Sequence, residues 1–223
     1  MTTERLVQIA SVLSDVTRAG ILTALMDGRA YTVTELSNHV GVAVSTTSEH
    51  LSRLRRTGLV AVESAGRHRY YRLAGPETAS LLESLGAHPD APGPSRRIPT
   101  GLAFARTCYD HLAGSVAVRI YAHCVWAGHL TEGDGSGMVI TAEGERFFSG
   151  LGLDLQRNPS RRERARRCLD WTERRPHLGG LLGAQLLTEF FDRRWLARGS
   201  RPRAVRLTRA GQQHLARYFA APA

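Results

Sequence analysis

The chain has 223 residues, 42% of them hydrophobic and 22% charged, which suits two domains with ordinary cores and excludes a globally disordered protein. No apolar run approaches the eighteen or so residues of a membrane span, the N-terminus MTTERLVQIASVLSD lacks a signal-peptide layout, and an odd three cysteines make no disulfide framework, so a cytoplasmic protein without a membrane partner is expected. The net charge of +10 is uneven: residues 1–90 hold nine Arg and nine acidic residues, whereas residues 91–223 hold 21 Arg and 11 acidic residues. Such a balance is either a solvated basic surface or an electrostatic footprint for nucleic acid.

In chain order, Leu6, Ile9, Val12 and Leu13 have helical spacing and predict a first helix. A second follows Asp15 or Thr17 as cap, with Ile21, Leu22 and Leu25 as its apolar stripe. Thr34 is the expected cap of a short third helix ending near Gly41, and a fourth runs from about Val44 to Thr57 and stops at Gly58. Val60–Ser64 and Arg69–Leu73 read as two strands around an Ala65-Gly66-Arg67 turn, and Leu81, Leu82 and Leu85 mark a fifth helix. This order makes residues 1–86 a winged helix-turn-helix domain. Residues 87–100 are a Pro/Gly-rich linker, and 101–223 form a basic, mostly helical second domain.

The second domain is expected to open with a long helical stretch, roughly Ala103 to Ala127. It also carries a short internal echo. MVITAEGERFF (138–148) and AVRLTRAGQQHL (204–215) share apolar-Thr-x-x-Gly, as expected when a hairpin strand enters a helix capped by Thr141 or Thr208. The expected fold class is therefore mainly α with small β-hairpin wings, the C-terminal domain holding two winged-helix-like half repeats.

On a helix from Ser45 to Arg56, Thr47, Leu51 and Leu54 fall within about 60° of one another and form the core face. Ser45, Thr46, Glu49, Ser52, Arg53 and Arg56 spread over about 120° on the opposite side, with Ser48 on the flank. Small hydroxyls first and arginines last suit a recognition helix entering the major groove by its N-terminus. Ser and Thr can meet any base edge, Glu49 can accept from a cytosine amine, and Arg53, Arg55 and Arg56 can hold phosphates. Arg67, His68 and Arg69 at the hairpin tip add minor-groove or phosphate contacts. A sequence-specific transcriptional regulator acting on a double-stranded operator is the expected function. The alternatives are a non-specific DNA-coating protein and a winged helix used for protein contact. No hydrolase elbow, phosphate loop, metalloprotease motif or redox cysteine pair is present, so no enzyme is expected and no cofactor is required.

Residues 5 to 85 resemble the arsenic-repressor (ArsR/SmtB) family of bacterial winged-helix repressors. The carrying residues are LSDVTR (13–18) with Ile21-Leu22, VSTTSEHL (44–51), Leu54-Arg55, GLV (58–60), Gly66-Arg67 and YYRL (70–73). Val16 stands where that family usually has proline. The rest resembles the C-terminal extension of a larger subgroup, through RTCYDHLAG (106–114) and CLDWTERRPHLGG (168–180). The resemblance implies a repressor and a homodimer paired through the first and fifth helices, here Leu6, Ile9, Val12, Leu13, Leu81, Leu82 and Leu85. An intrachain core is the other role for these leucines. The family's metal-sensing positions are not filled: the helix TELSNHV has no cysteine, and the fifth helix offers only Glu77, Glu83 and a terminal His88.

A small-molecule, metal or redox effector is then expected to act through the extension, which holds every cysteine and tryptophan. Cys108 and His111 lie three apart on the expected helix and so on one face; Cys168 and His177 bracket Trp171. Brought together, the two cysteines and two histidines have the atoms of a Cys2His2 site; otherwise the cysteines are small buried hydrophobes. A Cys108–Cys124 disulfide is not expected, since a shared helix would hold them about 24 Å apart. Trp126, Trp171 and Trp195, with Tyr109, Tyr121, Phe190 and Phe191, can line an apolar pocket or fill a core. Arg157, Arg161, Arg162, Arg164, Arg166 and Arg167 are the densest basic run and would surround a helix more than stripe it, as a solvated surface or, alternatively, as extra phosphate contacts.

Overall fold

The computed structural model describes residues 2–65, 68–86, 100–133, 135, 137–156, 162–201 and 203–220. Arg67, Arg157 and Arg161, together with His88 and the rest of the linker up to residue 99, lie outside these. The chain divides into two compact units, residues 1–81 and 82–223.

The first unit is a winged helix-turn-helix. Its helices α1 (Thr3–Leu13), α2 (Val16–Leu25), α3 (Val33–Val40) and α4 (Val44–Arg56) precede the hairpin of β1 (Val60–Ala65) and β2 (His68–Leu73). The division between the two units falls inside α5 (Pro76–Gly86). Asp15 caps α2 by accepting the Arg18 N–H, so Val16 takes the first helical position. The cap of α3 is Thr32, not Thr34. Thr32 accepts from the Glu35 N–H while Glu35 accepts from the Thr32 N–H, a reciprocal pair that places Thr34 inside the first turn. Gly41 then turns the chain in the left-handed region at φ 72°. Ile21, Leu25, Leu36, Leu51, Leu54 and Leu73 are fully buried and lock α2, α3, α4 and the wing together. Tyr31 exchanges both backbone hydrogen bonds with Tyr71, at 2.9 and 2.7 Å, which ties the chain before α3 to the wing by a single bridge.

The second unit departs from the expected long helix over Ala103–Ala127. A short α6 (Thr100–Phe104) gives way to a tight hairpin, β3 (Arg106–Cys108) and β4 (His111–Ala113), and only then to α7 (Ser115–Trp126). Tyr109 at φ 59° makes the hairpin turn, and Gly114 at φ 91° separates β4 from α7. A Cβ at Gly114 would stand 2.7 Å from the Phe104 carbonyl oxygen, so the break belongs to the backbone path.

The same sequence of elements occurs twice. After α7 come the hairpin β5 (Leu130–Glu132)/β6 (Met138–Ile140) and α8 (Ala142–Gly150). The hairpin β7 (Arg166–Leu169)/β8 (Pro176–Gly179) then leads into α9 (Gly180–Asp192), the hairpin β9 (Leu196–Arg198)/β10 (Val205–Leu207) and α10 (Arg209–Tyr218). Thr141 and Thr208 end strands and cap α8 and α10, accepting from Gly144 and Gly211 N–H at 3.0 Å each. The expected half repeats are thus the ends of a full hairpin–helix–hairpin–helix duplication. Gly180 repeats Gly114, with φ 78° and a would-be Cβ 2.8 Å from the Glu163 carbonyl oxygen.

The two halves are exchanged at their hairpins. Arg106 bridges Ala204, and Gly137 bridges Arg166. Reciprocally, the Val205 N–H donates to the Ala105 carbonyl at 3.1 Å and the Met138 N–H to the Ala165 carbonyl at 2.9 Å. β4 packs on α9 and β8 on α7, over one core that includes Cys124, Leu130, Phe148, Leu182 and Phe190.

Candidate functional site

Two features stand out: one exposed and polar in the first unit, one buried in the second. In the first unit, Thr47, Leu51 and Leu54 of α4 are fully buried, and the Thr47 hydroxyl donates to the Ala43 carbonyl at 3.0 Å. Ser45, Thr46, Ser48, Glu49, Ser52, Arg53, Arg55 and Arg56 are all exposed, as are His68 and Arg69 on the wing. The face expected to read DNA is therefore free within the unit. No side chain caps the start of α4, whose N-cap is Ala43, so its first N–H groups point outward unpaired by a side chain. The three arginines of the last turn complement the negative end of the helix dipole. Register in the wing is held by Arg72, paired with Glu63 at 2.7 Å.

Arg18, within LSDVTR (13–18), owes its role to the tertiary structure. Buried against the end of α1, it donates to the Val12 carbonyl at 2.6 Å and the Ser11 carbonyl at 3.0 Å and pairs with Asp15. It thereby satisfies the last carbonyls of α1 and ties that helix to α2. Of the residues expected at a dimer interface, Leu6, Leu81 and Leu85 are exposed, Ile9, Leu13 and Leu82 are half-buried, and Val12 is buried in the core of its own unit. Val7 and Val16 are also exposed, at 60% and 86%.

In the second unit, Cys108, His111, Cys168 and His177 come together. They are 1%, 3%, 9% and 0% exposed, and their four donor atoms all lie within 4.8 Å of one another. Cys108 and His111 do not share a helix face, as the sequence suggested. They are cross-strand partners in the β3/β4 hairpin, and Cys168 and His177 are cross-strand partners in β7/β8. The premise for separating Cys108 from Cys124 falls with that helix, and all three cysteines are free thiols in buried positions. Cys108 Sγ stands 3.9 Å from Cys168 Sγ, and the two imidazoles stack at 5.1 Å between centroids.

The cluster is polarised. Hydrogen bonding from Cys108, against the effect of burial and with His111 and His177 alongside, pulls the Cys168 thiol down to about 2, while burial pushes Cys108 well up. Burial disfavours charge on His111, but Asp110 and Cys168 outweigh it and raise the imidazole to about 9. Asp170 is buried, which alone would raise its carboxyl; Arg106 at 3.0 Å, Thr172 and the Gly114 N–H hold it well below the carboxylate range.

Trp171 lies under the Arg106 guanidinium at 4.8 Å and covers the buried Arg106–Asp170 ion pair. The aromatic set does not act as one lining. Tyr121, Phe190 and Trp195 are core, while Trp126 is 66% exposed. A cleft of about 530 Å³ is instead lined by Phe104, Val116, Ile120, Leu207, Leu215 and Phe219. The described part of the basic run, Arg162 to Arg167, is not helical. Arg166 and Arg167 are in β7, and Arg162, Arg164 and Arg167 pair with Asp110, Glu145 and Glu132.

Residues 15–62 match the family described as "Bacterial regulatory protein, arsR family". The chain is 43% identical over 211 residues, 92% of each protein, to the HTH-type transcriptional regulator YdfF of Bacillus subtilis (strain 168). It is 41% identical over 80 residues, 36% of this chain and 67% of the relative, to the HTH-type transcriptional regulator CmtR of Mycobacterium tuberculosis (strain ATCC 25618 / H37Rv). A winged helix-turn-helix DNA-binding domain from Mycobacterium bovis is similar at 25% identity, over 43% of this chain and 88% of that one, with a TM-score of 0.38. With a relative aligned along nearly its whole length and an exposed recognition face on a winged helix, the chain belongs to the arsR family of bacterial helix-turn-helix transcriptional regulators.

Proposed function

We propose that the protein is a homodimeric repressor in the cytoplasm that occludes a promoter by seating α4 in the major groove and the wing on the flanking backbone. A signal received by the C-terminal unit then releases it. The observation that carries this reading is the composition of the exposed face of α4: Ser45, Thr46, Ser48 and Glu49 at its open start, Arg53 and Arg56 at its end, over a fully buried Thr47-Leu51-Leu54 seam. Base-reading groups thus precede phosphate-holding groups along one helix.

Non-specific coating is less well supported. Arg162, Arg164 and Arg167 of the basic unit are engaged by carboxylates and not arrayed as free charge. The unit still offers a signal places to act, in the apolar cleft bounded by Leu207 and Leu215 and in the buried cysteine–histidine cluster.

Selection of bound duplexes from a random pool by the full chain tests the reading. One inverted repeat with half-sites about one helical turn apart is expected. Enrichment of no sequence, with continuous footprints along any duplex, would establish coating; absence of duplex binding at physiological salt would leave the wing as a protein contact.

A further inference from the structure

We propose that Cys108, His111, Cys168 and His177 bind one divalent transition-metal ion of the zinc class in a closed tetrahedral shell, joining the two halves of the C-terminal unit. The proposal does not rest on the DNA-reading role. Each half supplies one cysteine and one histidine, as a cross-strand pair, so an ion here bonds both copies of the duplicated hairpin at once.

The spacing fits. Zinc–sulfur bonds of about 2.3 Å and zinc–nitrogen bonds of about 2.0–2.1 Å give tetrahedral edges of about 3.3–3.8 Å. The sulfurs are already 3.9 Å apart, and no pair of donor atoms in the set exceeds 4.8 Å. Closure onto an ion requires shifts of under about an ångström, within the reach of a rotamer adjustment.

The nitrogens point to a ligand independently. Nε2 of His111 and both ring nitrogens of His177 are buried without a hydrogen-bond partner of ordinary geometry. Native interiors rarely leave three polar atoms in one small space unsatisfied. A supporting carboxylate stands behind each ring: Asp110 Oδ1 is 3.2 Å from His111 Nδ1, and Asp170 Oδ2 is 3.8 Å from His177 Nδ1. The Asp110 carboxylate, within hydrogen-bond distance, holds the proton at His111 Nδ1 and leaves the Nε2 lone pair for a metal; Asp170 stands on the same side of His177 at ion-pair distance. Both aspartates stand two residues after their cysteine, so the supporting group is duplicated along with the ligands. Asp170 is itself fixed by Arg106, by the Gly114 N–H at 2.6 Å and by the Thr172 hydroxyl at 2.6 Å.

Two thiolates and two imidazoles in tetrahedral array select zinc over harder cations, and four protein ligands leave no open position for substrate. A reversible Cys108–Cys168 disulfide is the rival use of these sulfurs, but it gives no role to the histidines or to the aspartates behind them.

Full-length protein, reduced, stripped with chelator and shown folded by circular dichroism, is titrated with Co²⁺ and then Zn²⁺. One Co²⁺ per chain is expected, with the intense visible bands of a tetrahedral site and thiolate charge transfer in the near ultraviolet, displaced by one equivalent of Zn²⁺. Zn²⁺ should also raise the melting temperature. The spectrum should persist in Cys124→Ser, whose buried thiol lies outside the cluster, and vanish in Cys168→Ser. Asp110→Asn should keep the band shape and lose about 10–100-fold in affinity. Stoichiometric binding by the unaltered chain decides the matter even if Cys168→Ser does not fold. A folded, reduced chain that binds no Co²⁺, or an unchanged spectrum in folded Cys168→Ser, would overturn the proposal. So would a chain that only forms a Cys108–Cys168 disulfide in air.

Discussion

Thr46 and Arg69 are both exposed in the first unit but differ in what they can touch. Thr46 stands at the open start of α4, where on the proposed reading its hydroxyl would meet base edges; Arg69 stands on the wing, where its guanidinium would meet phosphate. Thr46→Ala is expected to cost about 1–3 kcal/mol on the selected operator and little on random duplex. Arg69→Ala should weaken both alike and lower the salt slope by about one unit, read by titration at several salt concentrations. Equal losses on both duplexes for Thr46→Ala would remove it from the reading surface. A second pair of residues governs acid stability. The Arg18 N–H holds the Asp15 carboxyl below its ordinary 3.8, and the Thr32 N–H holds Glu35 below 4.5. A carboxyl lowered by folding contributes stability above its unfolded value, lost as pH falls through the lowered one. The winged unit should therefore weaken from about pH 4.5 downward. Asp15→Asn, which keeps a cap, should be nearly as stable at pH 7 but with a flatter acid limb; Asp15→Ala should lose about 1 kcal/mol at pH 7 and less in acid, where the native carboxyl is itself protonated. Chemical denaturation across pH 2–7 checks the pattern.

At the scale of elements, the duplicated hairpin-to-helix junction depends on two glycines. A Cβ at Gly144 would lie 2.1 Å from the His129 carbonyl oxygen, and one at Gly211 would lie 2.0 Å from that of Trp195. These oxygens are fixed, because His129 and Trp195 accept the Thr141 and Thr208 N–H groups that start α8 and α10. Gly144→Ala and Gly211→Ala should each cost about 1–3 kcal/mol as the helix is pushed from the hairpin. Gly150→Ala, at the end of α8 with open space around it, should be neutral within error. Melting curves of the three variants make the comparison; equal melting temperatures would mean that the helix shifts freely. The echo around Thr141 and Thr208 was legible because capping and close approach fix residue types at fixed offsets. The first hairpin of each half was not. Cys108 and His111 lie three apart around a tight turn, whereas Cys168 and His177 lie nine apart around a longer one, so the spacing hides the equivalence.

For the whole molecule, the exposed apolar residues of α1 set the next expectation. Leu6 and Val7 are 51% and 60% exposed in the single chain, an arrangement a second copy would cover. Leu6→Glu should leave the melting temperature of the monomer nearly unchanged and raise the dimer dissociation constant by tenfold or more, measured by sedimentation. Operator binding should then weaken with half-site spacing no longer enforced. An unaltered sedimentation profile would move the dimer contact elsewhere on the chain.

The sequence by itself determined the winged helix. Amphipathic spacing, Asp15 as a cap, Gly41, Gly58 and the basic hairpin are local signals, each acting over fewer than ten residues, and they agree with one another; only the cap of α3 departs, standing at Thr32, two residues before the expected Thr34. It also determined the polar face of α4, because a helix of known phase fixes which residues oppose a Thr47-Leu51-Leu54 seam. The second unit was decided by tertiary structure. Residues 103–127 are apolar enough to read as one helix, and only Tyr109 and Gly114 at positive φ, with β3 and β4 pairing across the turn, break it. The meeting of Cys108 with Cys168, sixty residues apart, follows from exchange of hairpins between two copies of one motif. That contact is a property of their mutual packing, and no periodicity along the chain encodes it.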